Sequence, residues 1–138
     1  MGRKPTMVLV DADFFIGLYL TSDAHHQTCL SMSYKVKDEL ITSYDVIDEV
    51  ATKLSYFRRK DLSLLFLKDL DQKGIFIIFP DASLFRSAQR FFESQKLSHV
   101  SLTDCMNMAI AKEKKVEYFL SFDAVYEKNG FKLVKRNS

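Results

Sequence analysis

Glycine and proline are scarce in this chain, at four and two of 138 residues, and tryptophan is missing. So few backbone breakers exclude a Gly/Pro-rich linker, and no repeat or low-complexity tract is present, so tight connections between packed elements are expected. Cysteine is just as sparse. Cys29 and Cys105 lie far apart without CxxC spacing, which excludes a disulfide framework and fits a reduced, intracellular protein. The three histidines, His25, His26 and His99, pair with neither cysteine, and no GxSxG motif occurs. Each reads as a surface or capping residue, not as a ligand.

Charge of one sign is also lacking. Twenty Lys and Arg against eighteen Asp and Glu leave a formal +2, which permits a polyanionic partner without requiring one. No apolar run reaches the roughly 20 residues that span a bilayer. The most apolar stretch, MVLVDADFFIGLYL from Met7 to Leu20, is broken by Asp11 and Asp13. Arg3 and Lys4 precede it, but those acids and the missing cleavage site argue against a signal peptide. MGRKPT fits a loose myristoylation pattern at Gly2 with Thr6, a short motif that matters only where the transferase exists. The expectation is a cytoplasmic protein that makes no use of membranes.

What is present describes one globular domain spanning residues 1–138, with 47% apolar and 28% charged residues. Five short apolar runs stand out: MVLV (Met7–Val10), LITS (Leu40–Ser43), IFIIF (Ile75–Phe79), YFLSF (Tyr118–Phe122) and FKLV (Phe131–Val134). Most are continuous, not alternating, as parallel strands buried on both faces require. Helical patterns lie between them, over 12–20, 23–37, 45–57, 61–70, 83–95 and 102–114. Segment 61–70 is apolar on more than one face, with Leu62, Leu64, Leu65, Phe66, Leu67 and Leu70. Deep core explains that excess best, with a dimer face as the alternative. The order, with a turn between the last two strands, predicts a three-layer α/β/α sandwich around a mainly parallel central sheet.

In such folds the strand C-termini and helix N-termini share one edge, where ligands bind. Asp11 follows the first strand directly. Glu49 lies in the first turns of the helix after LITS, Asp104 opens the helix at 102, and Asp123 follows YFLSF. Each has a plain structural use. Asp104 stands at capping-box distance from Ser101, Asp123 can cap the turn before Tyr126, and Glu49 can pair with Lys53. Asp11 resists such an explanation, because an unpaired charge among VLV and FFIGLYL is costly. If the first and fourth strands are neighbours, the four acids crowd one crevice. Like charges ~5 Å apart repel by about 3 kcal/mol per pair at an effective dielectric near 20. The cluster must then take up protons or hold a hard divalent cation, Mg²⁺ or Mn²⁺. Asp13 is either a helix-start cap or a further acid behind the cluster.

VLVDADFFIGLY, ITSYDVIDEVATKL, SLTDCMNMAIAKEKKVEYFLSFD and the closing GFKLV resemble, in order and spacing, the PIN-domain nucleases, and the small size is most similar to VapC-type toxins. The resemblance spans essentially the whole chain. It implies a PIN-like fold and metal-dependent hydrolysis of RNA, with the acidic centre on Asp11, Glu49, Asp104 and Asp123. Asp11, Asp104 and Asp123 would be the main metal ligands, with Glu49 binding a second ion or positioning the attacking water. Asp13 stands where the family often has Ser or Asn, which leaves the ligand list open there. Ser43 and Ser121 match small hydroxyl positions beside the site, and Tyr126 or Glu127 could serve after the last acid. The toxin likeness further implies a homodimer and a cognate antitoxin that reaches the acidic crevice with a basic side chain.

For gripping RNA, Lys53 is the best-placed single cation. Arg58–Arg59–Lys60, Arg86 with Arg90, and Lys112, Lys114 and Lys115 are further candidates that read equally as solvated faces. The 12 Phe and 6 Tyr read as core, with no warrant for a base-stacking platform. Three other readings remain. DADFF after an apolar strand also fits a haloacid-dehalogenase-type phosphohydrolase, with Asp11 as nucleophile and Asp13 as general acid. A receiver-type phosphoacceptor would use the acids after the first strand, and a catalytically silent PIN-like module would only bind.

Overall fold

The computed structural model describes residues 6–96 and 98–135; Gly2 of the acylation pattern lies outside them. Strands β1 (Met7–Val10), β2 (Glu39–Ser43), β3 (Phe76–Ile78), β4 (Tyr118–Leu120) and β5 (Lys132–Leu133) form one sheet, ordered β3-β2-β1-β4-β5. Every pairing is parallel. The chain builds outward from β1 to β3, then returns to add β4 on the other side of β1. The switch point therefore lies between β1 and β4, the neighbours that bring Asp11 and Asp123 together.

Side chains of β1 alternate between the two faces of the sheet and both faces are buried, which explains its unbroken apolar sequence. Val8 and Val10 pack into one core with Phe14, Phe15, Val46, Val50, Leu54 and Phe66. Leu9 points the other way, into a second core with Ile41, Phe119, Ala88 and the buried side of residues 105–111. The first layer of helices comprises α1 (Ala12–Tyr19), α2 (His26–Lys35), α3 (Tyr44–Tyr56) and α4 (Lys60–Gln72). On the opposite face lie α5 (Ala82–Ser94) and α6 (Leu102–Lys114), with the single turn α7 (Val125–Lys128) before β5. The three-layer sandwich expected from the sequence is thus present, with a sheet that is wholly parallel.

Four local expectations are corrected. The link between the last two strands contains α7 in addition to a turn, and Gly130, at φ +92°, reverses the chain out of it. YFLSF leaves the sheet after Leu120, because the Phe122 N–H donates to Asp13 Oδ2 at 2.8 Å; Asp123 therefore stands past a short loop and not at the strand end. The second helix begins at His26, not at residue 23, since Asp23 Oδ2 accepts the His25 N–H at 2.9 Å and holds a turn there. On α4, Phe66 and Leu70 enter the core and Ser63 Oγ donates to the Ala51 carbonyl at 2.9 Å. That single inward face turns Leu64, Leu65 and Leu67 to solvent, Leu64 at 57% exposure, so deep core does not account for them.

Gly17 decides how α1 meets α2. A Cβ there would lie 2.6 Å from the sulfur of buried Cys29 and 3.3 Å from Asp23 Oδ2. Gly17→Ala is therefore expected to destabilise the protein by about 1–3 kcal/mol through overpacking. Urea denaturation checks this, and a variant as stable as the wild type would contradict the close approach. Burial also disposes of thiol chemistry. It pushes Cys29 up to about 12 and Cys105 up to about 11, where neither forms a thiolate near neutral pH.

Candidate functional site

Asp11 ends β1 and begins α1 in the same residue. Its backbone is extended and its N–H donates to the Leu120 carbonyl of β4 at 3.0 Å. Its Oδ1 caps α1 by accepting the Ala12 N–H at 2.8 Å. The side chain is 6% exposed, and four donors surround it. Besides Ala12, these are Asn107 Nδ2 (3.2 Å, to Oδ1), Ser121 Oγ (3.2 Å, to Oδ2) and the Tyr126 hydroxyl (2.8 Å, to Oδ2). Even so, burial and then the charge of Asp13 raise its pKa to about 7, with Asp104 adding to the rise and the Tyr126 and Ala12 bonds opposing it.

Asp11, Asp13, Glu49, Asp104 and Asp123 all line one cleft of about 600 Å³ at the switch point, with Asp23, His25, Lys53, Tyr56 and Phe57. Each acid also performs its structural task. Asp104 Oδ2 completes a capping box with Ser101, accepting its N–H at 3.1 Å, while Oδ1 lies 3.4 Å from the Tyr126 hydroxyl, whose single proton points to the nearer Asp11. Burial and the nearby Asp123 raise the Asp104 pKa. Asp123 Oδ1 accepts the Val125 N–H at 3.0 Å, and Glu49 sits 3.7 Å from Lys53. Capping and convergence are therefore not alternatives: a cap at a helix N-terminus on the ligand-binding edge already faces the cleft.

Asp13 is no helix cap, since Asp11 fills that position. It braces the loop after β4, its Oδ2 accepting from Phe122 N–H and lying 3.2 Å from Ser121 Oγ, whose one proton it shares with Asp11. Its Oδ1 is buried without a hydrogen-bond partner, and burial raises its pKa. A carboxylate oxygen orphaned beside Asp11 is the kind of donor that a hard cation or a proton satisfies. All the cleft's acidic donors are oxygens, a set suited to Mg²⁺ or Mn²⁺. Among the described residues no three acidic, histidine or cysteine groups form a ready-made cage. The mutually repelling acids instead turn toward local donors, as Asp104 does toward Ser101.

Two residues that orient Asp11 were not foreseen in these roles. Asn107 lies fully buried on α6, one turn after Asp104; besides reaching Asp11, its Nδ2 donates to the Tyr126 oxygen at 3.0 Å and its Oδ1 accepts from Ser43 Oγ at 3.2 Å. Ser43 also caps α3, accepting the Val46 N–H at 3.1 Å. Tyr126, expected only as a weak candidate, is fully buried and stacked on Phe119 at 4.1 Å. The available sequence signal was one amide inside the otherwise apolar CMNMAIA that follows Asp104. Glu127 takes no part: it lines a separate cavity of about 440 Å³ and pairs with Lys135 at 3.2 Å. Of the candidate RNA-binding cations, Lys53 alone lines the cleft, while Arg59 is paired to Asp61 at 2.9 Å.

The model of the PIN domain matches residues 8–132, from inside β1 to the start of β5. The chain belongs to the PIN-domain family. A comparison with curated proteins finds no match. Among solved structures, this PIN domain is similar to Mycobacterium tuberculosis VapC20, described as a Sarcin-Ricin loop cleaving toxin. The TM-score is 0.83 at 19% identity, covering 90% of this chain and 95% of the other. VapBC2 from Rickettsia felis, bound to a DNA fragment from its promoter, aligns with a TM-score of 0.67 at 13% identity over 94% and 98% of the chains. FitAcB from Neisseria gonorrhoeae aligns with the same TM-score at 11% identity, over 94% and 98%. At these identities the likeness establishes a shared PIN fold. The family match favours neither the dehalogenase-type nor the receiver-type reading. No helix among the described residues is long and apolar enough to cross a membrane.

Proposed function

We propose that the protein is an endoribonuclease that hydrolyses RNA phosphodiester bonds with Mg²⁺ or Mn²⁺, and that it is the toxin of a type II toxin–antitoxin pair. The observation that carries this reading is the convergence of Asp11, Glu49, Asp104 and Asp123 on one cleft, with Asp11 held at a pKa near 7 by burial and by its acidic neighbours. A bound divalent ion would polarise the scissile phosphate and lower the pKa of an associated water. Asp11, Asp104 and Asp123 would hold that ion, and Glu49 would hold a second ion or orient the attacking water. Ser121, Asn107 and Tyr126 fix the Asp11 carboxylate, and Lys53 meets a substrate phosphate. Asp13 carries the loop that bears Ser121 and Asp123.

The toxin role draws on the solved relatives that are toxin–antitoxin assemblies. An antitoxin would occlude the cleft with a basic side chain. The exposed Leu64, Leu65 and Leu67 of α4 offer apolar surface for such a partner or for a second copy in a homodimer. The reading is that of a cytoplasmic enzyme.

Incubating the purified protein with RNA tests the chemistry. Cleavage is expected with Mg²⁺ or Mn²⁺, is lost in EDTA and returns with excess Mn²⁺. Asp104→Asn is expected to drop below detection while its circular dichroism stays that of the wild type. Cleavage that survives EDTA, or full activity in Asp104→Asn, defeats the assignment.

A further inference from the structure

The outward stripe of α3 carries more than Glu49. Lys53 and Tyr56 follow it at helical spacing, four and then three residues on, and Phe57 caps the helix beside Tyr56. The opposite face of α3, with Val46, Val50 and Leu54, is buried in the core. All four residues of the outward stripe line the acidic cleft. Tyr56 is 81% exposed and Phe57 59% exposed, so neither ring is spent on packing. Other rings are exposed too, Tyr34, Phe76 and Phe79 among them, but none of those lines the cleft; Tyr56 and Phe57 stand open beside the acids. The next residue, exposed Arg58, turns back at φ +59°, and no ion pair involving it is found among the described residues.

We infer that Tyr56 and Phe57 form a stacking platform for an unpaired base of the substrate, flanked by Lys53 and Arg58 on the phosphates. The inference rests on the ribonuclease reading and adds a substrate-positioning contact on α3 for a base that lies unpaired beside the cut. Aromatic rings receive any base through its π-face, but only a base released from pairing can reach them. Position along α3 sets the reach. Seven residues separate Glu49 from Tyr56, about 10 Å at 1.5 Å per residue. With a stacked rise of about 3.4 Å per nucleotide, the platform takes a base within about three nucleotides of the scissile phosphate. The flanking cations favour this occupant over an apolar peptide, because two positive groups beside two rings match a phosphate-linked base.

The test compares the wild type with Tyr56→Ala, Phe57→Ala and the double variant on a synthetic oligoribonucleotide containing a mapped cleavage site. The same site is also presented within a fully paired duplex. KM on the single strand is expected to rise about 5- to 100-fold in the double variant, from the loss of base stacking, with kcat within about twofold. Tyr56→Trp, which keeps a ring in place, is expected to hold the wild-type KM that Tyr56→Ala loses, a contrast that a merely structural role would not predict. The preference for the single strand over the duplex is expected to shrink in the alanine variants. Because both side chains are exposed, melting temperatures should stay at the wild-type value. Wild-type cleavage with an unchanged KM in the double variant overturns the platform. So does an unchanged KM accompanied by weakened binding of a protein partner, which would make the surface a protein-docking patch. No RNA cleavage by the wild type overturns the ribonuclease reading itself.

Discussion

Replacing Asp11 with Asn is expected to stop RNA cleavage and, at the same time, to make the cation-free protein more stable above neutral pH. The two effects share a cause. Asp11 is raised to about 7 from an ordinary 3.8, so its folded form prefers the proton. A carboxyl raised in this way contributes stability that is fully present below the unfolded pKa and is lost as pH rises through the folded one. About three pH units at 1.36 kcal/mol each put the loss at about 4 kcal/mol by pH 8. Asn is uncharged and close in shape. Its amide can use the oxygens of Ser121 and Tyr126, which now donate to Asp11 Oδ2. The gain over wild type in EDTA at pH 8 is therefore expected at about 1–3 kcal/mol, shrinking toward zero near pH 4. Mn²⁺ should restore stability to the wild type and leave the variant unmoved. Denaturant titrations at the two pH values decide the matter, and a variant less stable than wild type at pH 8 would falsify the account of Asp11 as a strained charge.

Asn107→Ala is the second large effect, and its sign is opposite. The Asn107 side chain reaches Asp11, Tyr126 and Ser43 from one buried position between α6 and the strand ends. Removing it leaves those partners short of a bond in a place water reaches poorly, and opens a cavity. A loss of about 2–4 kcal/mol is expected. With Asp11 in its proposed role of metal ligand, activity should also fall, by about 10- to 100-fold, the usual effect of removing a group that orients such a ligand. The comparison with Asp104→Asn is informative, because both residues lie on α6. Asp104→Asn should abolish cleavage with little change in stability, whereas Asn107→Ala should weaken both together. Full activity in Asn107→Ala beside a clear loss of stability would show that Asn107 is only a packing residue.

These variants mark where sequence and structure divide the work. The start of the α6 helix was readable to the residue, because Ser101 and Asp104 announce it; the left-handed backbone of Lys115 that ends it is seen only in the structure. The end of β4 was not, since no local propensity shows that Asp13, more than a hundred residues away, will take the Phe122 N–H. For α4, the apolar count was visible, but which leucines would be covered depended on the single face that α3 accepts. The four acids could be paired with strand and helix ends by pattern alone. Their shared cleft, the raised Asp11 and the buried Asn107–Tyr126 network could not.

The sequence by itself determined the alternation of strand and helix, the helix caps, and hence which acids stand at the ligand-binding edge, because those features are written in local periodicity and capping chemistry. Only the tertiary structure decided which strands are neighbours, how deeply Asp11 is buried and which aromatics of α3 stay open. Burial and long-range hydrogen bonding depend on distant segments meeting, and the energy of a charge is set by what surrounds it, not by its neighbours along the chain.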